Sequence, residues 1–311
     1  MRFTIFQDTD IGSRTINQDR MGYCFSSESL MMIVADGMGG HARGEIAAQT
    51  TLQVCAGLFQ RMATPRLADP VAFLRDALLA AHRDLLRYQA LHRLPEAPRT
   101  TVVAAVIQDE KVWWAHAGDS RFYWLRNGRT VVRTLDHSKV QTLVTLGLIS
   151  PQEQDDHPER NKVLNCLGSP LPPDVESSGG VTLQSGDTLL LCSDGLWAGV
   201  PQTDLAQAFG QGPLAQVVPE LVRRAVAHGG LIADNATAIA LNWEGGGSPD
   251  ELATLSPLEL PGGAITTTIA FGRADEVAAS ASLSDEDIER QIAEIQQAIR
   301  RSHASSNGES S

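Results

Sequence analysis

The chain has 311 residues, 42% of them hydrophobic, and a formal net charge of −12. That length allows one large domain or two small ones with a sizeable core, and the acidity excludes a nucleic-acid footprint. No apolar run is long enough to span a bilayer, and the N-terminal stretch MRFTIFQDTDIG has no signal-peptide core, so a cytoplasmic protein that stays off membranes is expected. Residues 244–311 hold 12 acidic and 4 basic side chains, a net −8 that leaves only −4 for residues 1–243. Cys24, Cys55, Cys166 and Cys192 form no C-x-x-C pair, which argues against structural zinc and against a disulfide framework. Cys192 stands in an apolar run and reads as a buried small hydrophobe.

In chain order, residues 2–7 alternate and suit an edge strand. Residues 21–25 and 30–35 read as strands of a hairpin around the polar SSES. Residues 44–63 and 70–92 carry apolar positions at helical spacing, the second opening with Pro70 behind Asp69. Three strands follow in TTVVAAVIQ, KVWWAHAG and SRFYWLRNG, and Asn127-Gly128 marks a hairpin into RTVVRTL. Residues 138–170 are polar and Pro-containing apart from a short helix candidate, QTLVTLGLI. Strand character returns in VTLQSGDTLLLC. Helical patterns at 202–209 and 213–228 precede a closing strand, NATAIALNW. Strands in sequence with helix pairs inserted predict an α+β fold, a central two-sheet β-sandwich flanked by helix pairs, over residues 1–243.

Beyond Trp243, residues 244–283 read as a Gly/Pro/Ser-rich linker in which ITTTIAFG suits a short strand. Residues 284–303 predict an amphipathic helix, with Ser284 as N-cap, acids in the first turn and arginines in the last. Ile288, Ile292, Ile295 and Ile299 form one seam, too short to be stable alone, so the helix is expected to dock on its own domain or on a partner. Residues 304–311 read as a disordered tail.

Five aspartates each stand in a short motif. Asp36 (VADG) and Asp194 (TLLLCSDG) end strand-like apolar runs and precede a turn, and Asp119 (WWAHAGD) follows the same form. Asp19 lies in NQDR and Asp234 in DNAT. Carboxylates gathered at strand ends make an oxygen-rich cage for Mg²⁺ or Mn²⁺, and a cage with two ions can activate water and clamp a phosphoryl group. Each motif alone reads as a turn.

Their order carries more. GSRTINQDR (12–20), VADGMGGHARGE (34–45), Thr100-Thr101, GDSR (118–121), DHS (136–138), SDGLW (193–197) and DNAT (234–237) follow one another. This series resembles the bacterial branch of the metal-dependent Ser/Thr protein phosphatases, the 2C-type or PPM family, over about residues 1–243. The resemblance implies hydrolysis of phosphoserine and phosphothreonine in proteins, opposing a Ser/Thr kinase, by in-line attack of a metal-bridged water. It implies Mn²⁺ or Mg²⁺ as cofactor, two ions with a weaker third. Asp36 would bridge the two ions, Gly37 would offer its carbonyl, and Asp194 and Asp234 would complete the first site. Asp119 would join Asp194 at the third ion, and Asp19 would bind through water. Arg14 would grip the phosphate, for which a planar guanidinium fork is suited.

There are departures from the pattern. Gln18 stands where many members carry Glu. Met38 follows the Asp-Gly pair where eukaryotic members place a histidine acid, and the histidine comes later as His41, either a proton donor or a turn residue. Residues 139–170 match the family's flap, with Cys166 where arginine is common, either a substrate contact or a neutral surface change. Thr100, Thr101 and His137 read as structural. Two other functions are open: a non-catalytic phosphosite-binding module, disfavoured by carboxylates that repel one another without metal, and a phosphatase of small phosphorylated molecules.

Overall fold

The computed structural model describes residues 1–38, 43–150, 153–154, 157–245 and 266–267. Two antiparallel sheets face each other. The first runs β1 (Arg2–Asp10), β11 (Ala236–Gly245), β10 (Thr188–Cys192), β6 (Arg121–Arg126), β7 (Arg129–Arg133). The second runs β12 (Thr266–Thr267), β2 (Asp19–Phe25), β3 (Ser29–Gly37), β4 (Thr100–Gln108), β5 (Lys111–Ala117), β8 (Glu176–Ser177), with β9 (Val181–Thr182) also pairing β5.

Strand alternation sorts the core into layers. In β10, Leu189 and Leu191 enter the cluster between the sheets, beside Leu30, Met32 and Val34 of β3 and Ile239, Leu241 and Trp243 of β11. Leu190 and Cys192 point the other way, onto a helical layer. Burying each leucine stabilises the fold by about 1.5–3 kcal/mol. That outer layer is α4 (Asp194–Gly199), α5 (Gln202–Ala208) and α6 (Leu214–Gly229), which seat Leu196, Leu205 and Leu221 on the first sheet. The long helices α1 (Gly44–Met62) and α2 (Pro70–Leu91) cover the second sheet. Asp69 caps α2 by accepting from the N–H groups of Val71 and Ala72. A short α3 (Lys139–Thr145) lies in the 138–170 segment.

The α+β sandwich flanked by helices is therefore the observed architecture. The Asn127-Gly128 turn has both residues at positive φ, 52° and 69°, the geometry that suits a two-residue hairpin. The run VTLQSGDTLLLC carries two strands that enter different sheets: β9 joins the second and β10 the first. Asp187 makes this switch, with a fully buried carboxylate that accepts from Arg126 Nε (2.6 Å) and Nη2 (2.8 Å) and from the Gln184 N–H (2.8 Å). One detail differs from expectation: in place of a turn after Asp194, helix α4 starts at that residue.

One compact unit covers Met1–Ile269, and β12 pairs Thr266 and Thr267 with Phe25 and Cys24 inside it. The rest of the expected 244–283 linker after Gly245, the 284–303 helix and the 304–311 tail lie outside the described residues.

Candidate metal centre

The ladders bring the acidic motifs to one end of the sandwich. Asp19 opens β2 and pairs in register with Asp36 near the end of β3, and Asp36 in turn faces Thr101 of β4. The Thr100 hydroxyl donates to the Asp36 carbonyl at 2.7 Å, which fixes the strand end. Gly37 leaves β3 against the start of α1. A Cβ there would lie 2.3 Å from the Gly44 carbonyl oxygen, so no side chain fits. Asp119 occupies the turn from β5 to β6, Asp194 opens α4 just past β10, and Asp234 precedes β11. At the same end the β1–β11 ladder closes with Asp10 opposite Ala236, which sets the loop carrying Arg14 beside Asp234. Arg14 Nη2 donates to Asp234 Oδ2 at 2.6 Å.

Asp19 and Asp119 are buried, Asp36 and Asp194 are half-buried, and Asp234 is more open, its side chain 41% exposed. Asp36 stands opposite Asp19 in the ladder and feels the charges of both Asp19 and Asp194. Burial, and after it the charges of Asp19, Asp194, Asp119 and Asp234, hold the Asp36 carboxyl well above the usual range. Asp119 is raised well above it too, by burial and then by Asp194. Burial pushes Asp19 up to about 7, against the lowering hydrogen bonds of Ser193 and Thr237. Asp194 rises to about 6 through burial and the charge of Asp234. Asp19 Oδ2 accepts from the Ser193 hydroxyl at 2.6 Å, whereas Asp19 Oδ1 is buried with no hydrogen-bond partner. Clustered acids with an orphaned oxygen call for positive charge, and an all-oxygen donor set fits hard divalent ions.

Comparison with known proteins agrees with this geometry. The family model for protein phosphatase 2C matches residues 7–227. The chain belongs to the protein phosphatase 2C family. The serine/threonine phosphatase stp of Listeria monocytogenes is 32% identical over 235 residues, covering 74% of this chain and 92% of that protein. A serine/threonine phosphatase from S. agalactiae superposes with a TM-score of 0.68 at 30% identity, covering 78% of this chain and all of that one (100%). The catalytic domain of the phosphatase PstP, solved with two manganese ions, gives a TM-score of 0.64 at 28% identity, with 77% and 97% covered.

Within this 2C-family frame the structure brings Asp19, Asp36, Gly37, Asp119, Asp194, Asp234 and Arg14 to one end of the sandwich. His41 lies outside the described residues. The Gln18 amide donates to Glu45 Oε2 at 3.3 Å, so this departure from the family pattern is tied to the first turn of α1. Cys166 is 5% exposed, buried rather than on the surface or open to substrate.

Three supporting residues escaped the sequence reading. Besides donating to Asp19, the Ser193 hydroxyl accepts from the Thr237 N–H at 3.1 Å. Asn235 Oδ1 accepts from the Gln18 N–H (2.8 Å), and its Nδ2 donates to the Ile11 (2.8 Å) and Ile16 (3.3 Å) carbonyls, stitching the Arg14 loop down. Trp197 Nε1 donates to the Asp119 carbonyl at 3.0 Å, and the Arg121 guanidinium sits 3.5 Å over its ring. All three fall inside motifs already noted, but nothing in sequence distinguishes them from turn and core residues.

His116, His137 and Glu176 form another group whose ligand atoms lie within 4.8 Å of one another. Its hydrogen bonds argue against an ion there. Asn165 is oriented by the Asp174 backbone, so its Nδ2 donates to His137 Nδ1 at 2.6 Å, and the Gly118 N–H donates to the same atom at 3.3 Å. His137 therefore carries its proton on Nε2 and turns it toward Glu176 (3.3 Å) as a donor, not a ligand. The His137 N–H also donates to the Gly118 carbonyl at 2.9 Å, so the group props the turn that holds Asp119.

Proposed function

We propose that the protein removes phosphate from phosphoserine and phosphothreonine in proteins, with Mn²⁺ or Mg²⁺ held by the aspartate cluster, and so opposes a Ser/Thr kinase. The observation that carries this is the convergence of four carboxylates with raised pKa, two of them buried and one with an unpartnered oxygen, beside an arginine. Asp36 is central and would bridge two ions. Asp194, Asp234 and the Gly37 carbonyl would complete the sites, Asp119 with Asp194 would take a third, and Asp19 would act through water. Divalent ions bound there would neutralise phosphoryl charge and activate water at neutral pH.

The chain's own groups set the geometry. Thr100 and Ser193 hold Asp36 and Asp19 in place. Arg14, already oriented by Asp234, presents a planar fork to a phosphate dianion entering the cluster. Phosphoryl transfer depends on positioning and charge neutralisation, so no nucleophilic side chain is required. Hydrolysis of a phosphothreonine peptide, followed with Mn²⁺, Mg²⁺ and EDTA in wild type and Asp194→Asn, tests the reading. Metal-dependent phosphate release that EDTA and the mutation abolish is expected. A folded sample inert with either metal would reject it.

A further inference from the structure

Four large apolar side chains are exposed beside the Arg14–Asp234 pair. Leu231 is 98% exposed, Ile232 83%, Ile16 53% and Ile11 41%. Ile11 and Ile16 lie on one loop, Leu231 and Ile232 on the 3₁₀ turn Gly230–Ile232, and the structure ties the two segments together. The Ser13 N–H donates to the Ala233 carbonyl (2.9 Å), and the Ser13 hydroxyl donates to the Gly230 carbonyl (2.7 Å). Asn235 bonds the carbonyls of both Ile11 and Ile16. Gly12, at φ +60°, packs so closely that a Cβ would lie 2.3 Å from the Asp234 carbonyl oxygen. Single exposed apolar residues are ordinary. Here four sit on fixed segments, contribute nothing to the core, and flank the phosphate-facing arginine.

We infer that this rim is a substrate-selecting surface that receives an apolar side chain next to the phosphorylated residue of a protein substrate. The inference rests on the phosphatase reading above. Ile11 and Ile16 bracket Arg14 in one short loop, so they lie within reach of the residues that flank a phosphate meeting Arg14. An extended peptide advances about 3.3 Å per residue, which places the selected side chain within about three positions of the phosphosite. A polar or acidic neighbour would gain nothing on four hydrocarbon side chains, whereas Leu, Ile or Phe would leave water on contact.

The test compares two phosphothreonine peptides that differ only in flanking residues, leucine in one and serine in the other. Wild type and the double variant Leu231→Ser/Ile232→Ser are assayed with Mn²⁺, and binding of labelled peptides is read by fluorescence anisotropy. Both positions are exposed, so the variant should keep its melting temperature and its turnover of a small aryl phosphate. The expected result is a wild-type kcat/KM about tenfold higher for the leucine peptide, collapsing to near unity in the variant. Equal kcat/KM for the two peptides in wild type, or a preference that survives in the variant, overturns the rim while leaving the phosphatase reading intact. A leucine preference seen in binding and lost in the variant, with no hydrolysis of any substrate, supports the rim and rejects the phosphatase reading instead.

Discussion

Ser193 holds Asp19 at the right place with one hydroxyl, donating to its Oδ2 and accepting from Thr237. Partners of this kind outside the ligand set commonly tune metal affinity by about 10–100-fold. Ser193→Ala should therefore weaken Mn²⁺ binding by about tenfold or more, read by titration calorimetry, with the fold retained. An unchanged affinity would show that Asp19 needs no such support. A second residue acts at greater depth. Arg121 donates Nε and Nη2 to Asp136 at 2.8 and 2.6 Å, both side chains nearly inaccessible, and stacks on the Trp197 that holds the Asp119 carbonyl. Asp136→Ala strands a buried guanidinium and should destabilise the protein by about 3–5 kcal/mol in urea unfolding. A loss under about 1 kcal/mol would mean that Arg121 finds water or another acceptor. At this scale the sequence displayed the aspartates, because each stands in or beside the end of a strand in a recognisable motif. It hid Ser193 and Asn235, because a polar residue in a loop looks the same whether it caps a turn or, as these two do, holds a residue 174 or 217 positions away.

Elements were legible where periodicity is sustained. The long helices α1 and α2 and the fully buried β4 declare themselves, the last by nine consecutive buried residues. The split of β9 from β10 did not, since it depends on Asp187 meeting Arg126 from a strand some sixty residues earlier. Close backbone contact is equally invisible in sequence, and the exit of β3 depends on it. Gly37→Ala would drive a methyl into the Gly44 carbonyl, and both partners are backbone, so neither can swing aside. The displaced β3 end carries Asp36, so turnover of an aryl phosphate should fall by at least about a hundredfold, consistent with the sensitivity of positioned groups to shifts near 1 Å. Activity within a few-fold of wild type would show that the start of α1 can move away. The C-terminal region gives the opposite expectation. Only Thr266 and Thr267 pair with the sheet among the described residues beyond Gly245. Deleting residues 246–311 should leave aryl phosphate hydrolysis within about twofold of wild type, because a two-residue edge strand adds little.

For the molecule as a whole, the aspartate cluster sets stability against function. Burial pushes Asp19 and Asp194 up to about 7 and about 6 when folded, against 3.8 for a free carboxyl, and holds Asp36 and Asp119 well above that free value too. A raised carboxyl pKa means that the folded state holds protons which the unfolded chain has released. Its contribution is complete below about pH 4 and is lost as pH rises through the folded values. Two buried histidines, His82 and His116, work in the other direction, since burial lowers their pKa and the unfolded chain binds their protons first. The difference between metal-free and metal-loaded protein separates the two effects, because divalent ions act on the carboxylates and leave the histidines alone. In EDTA the melting temperature should drop between pH 5.5 and pH 8 by about 5 °C or more, since ~1 kcal/mol moves a domain of this size by about 2–4 °C. Saturating Mn²⁺ should restore it, with a larger gain at pH 8 than at pH 5.5, because ions compete with protons for the same oxygens. The Asp36→Asn variant should lose most of that gain and be less sensitive to pH in EDTA. A metal-induced gain that is equal at the two pH values would mean that the ions bind somewhere other than this cluster, and the repulsion among its aspartates would then have no functional counterpart.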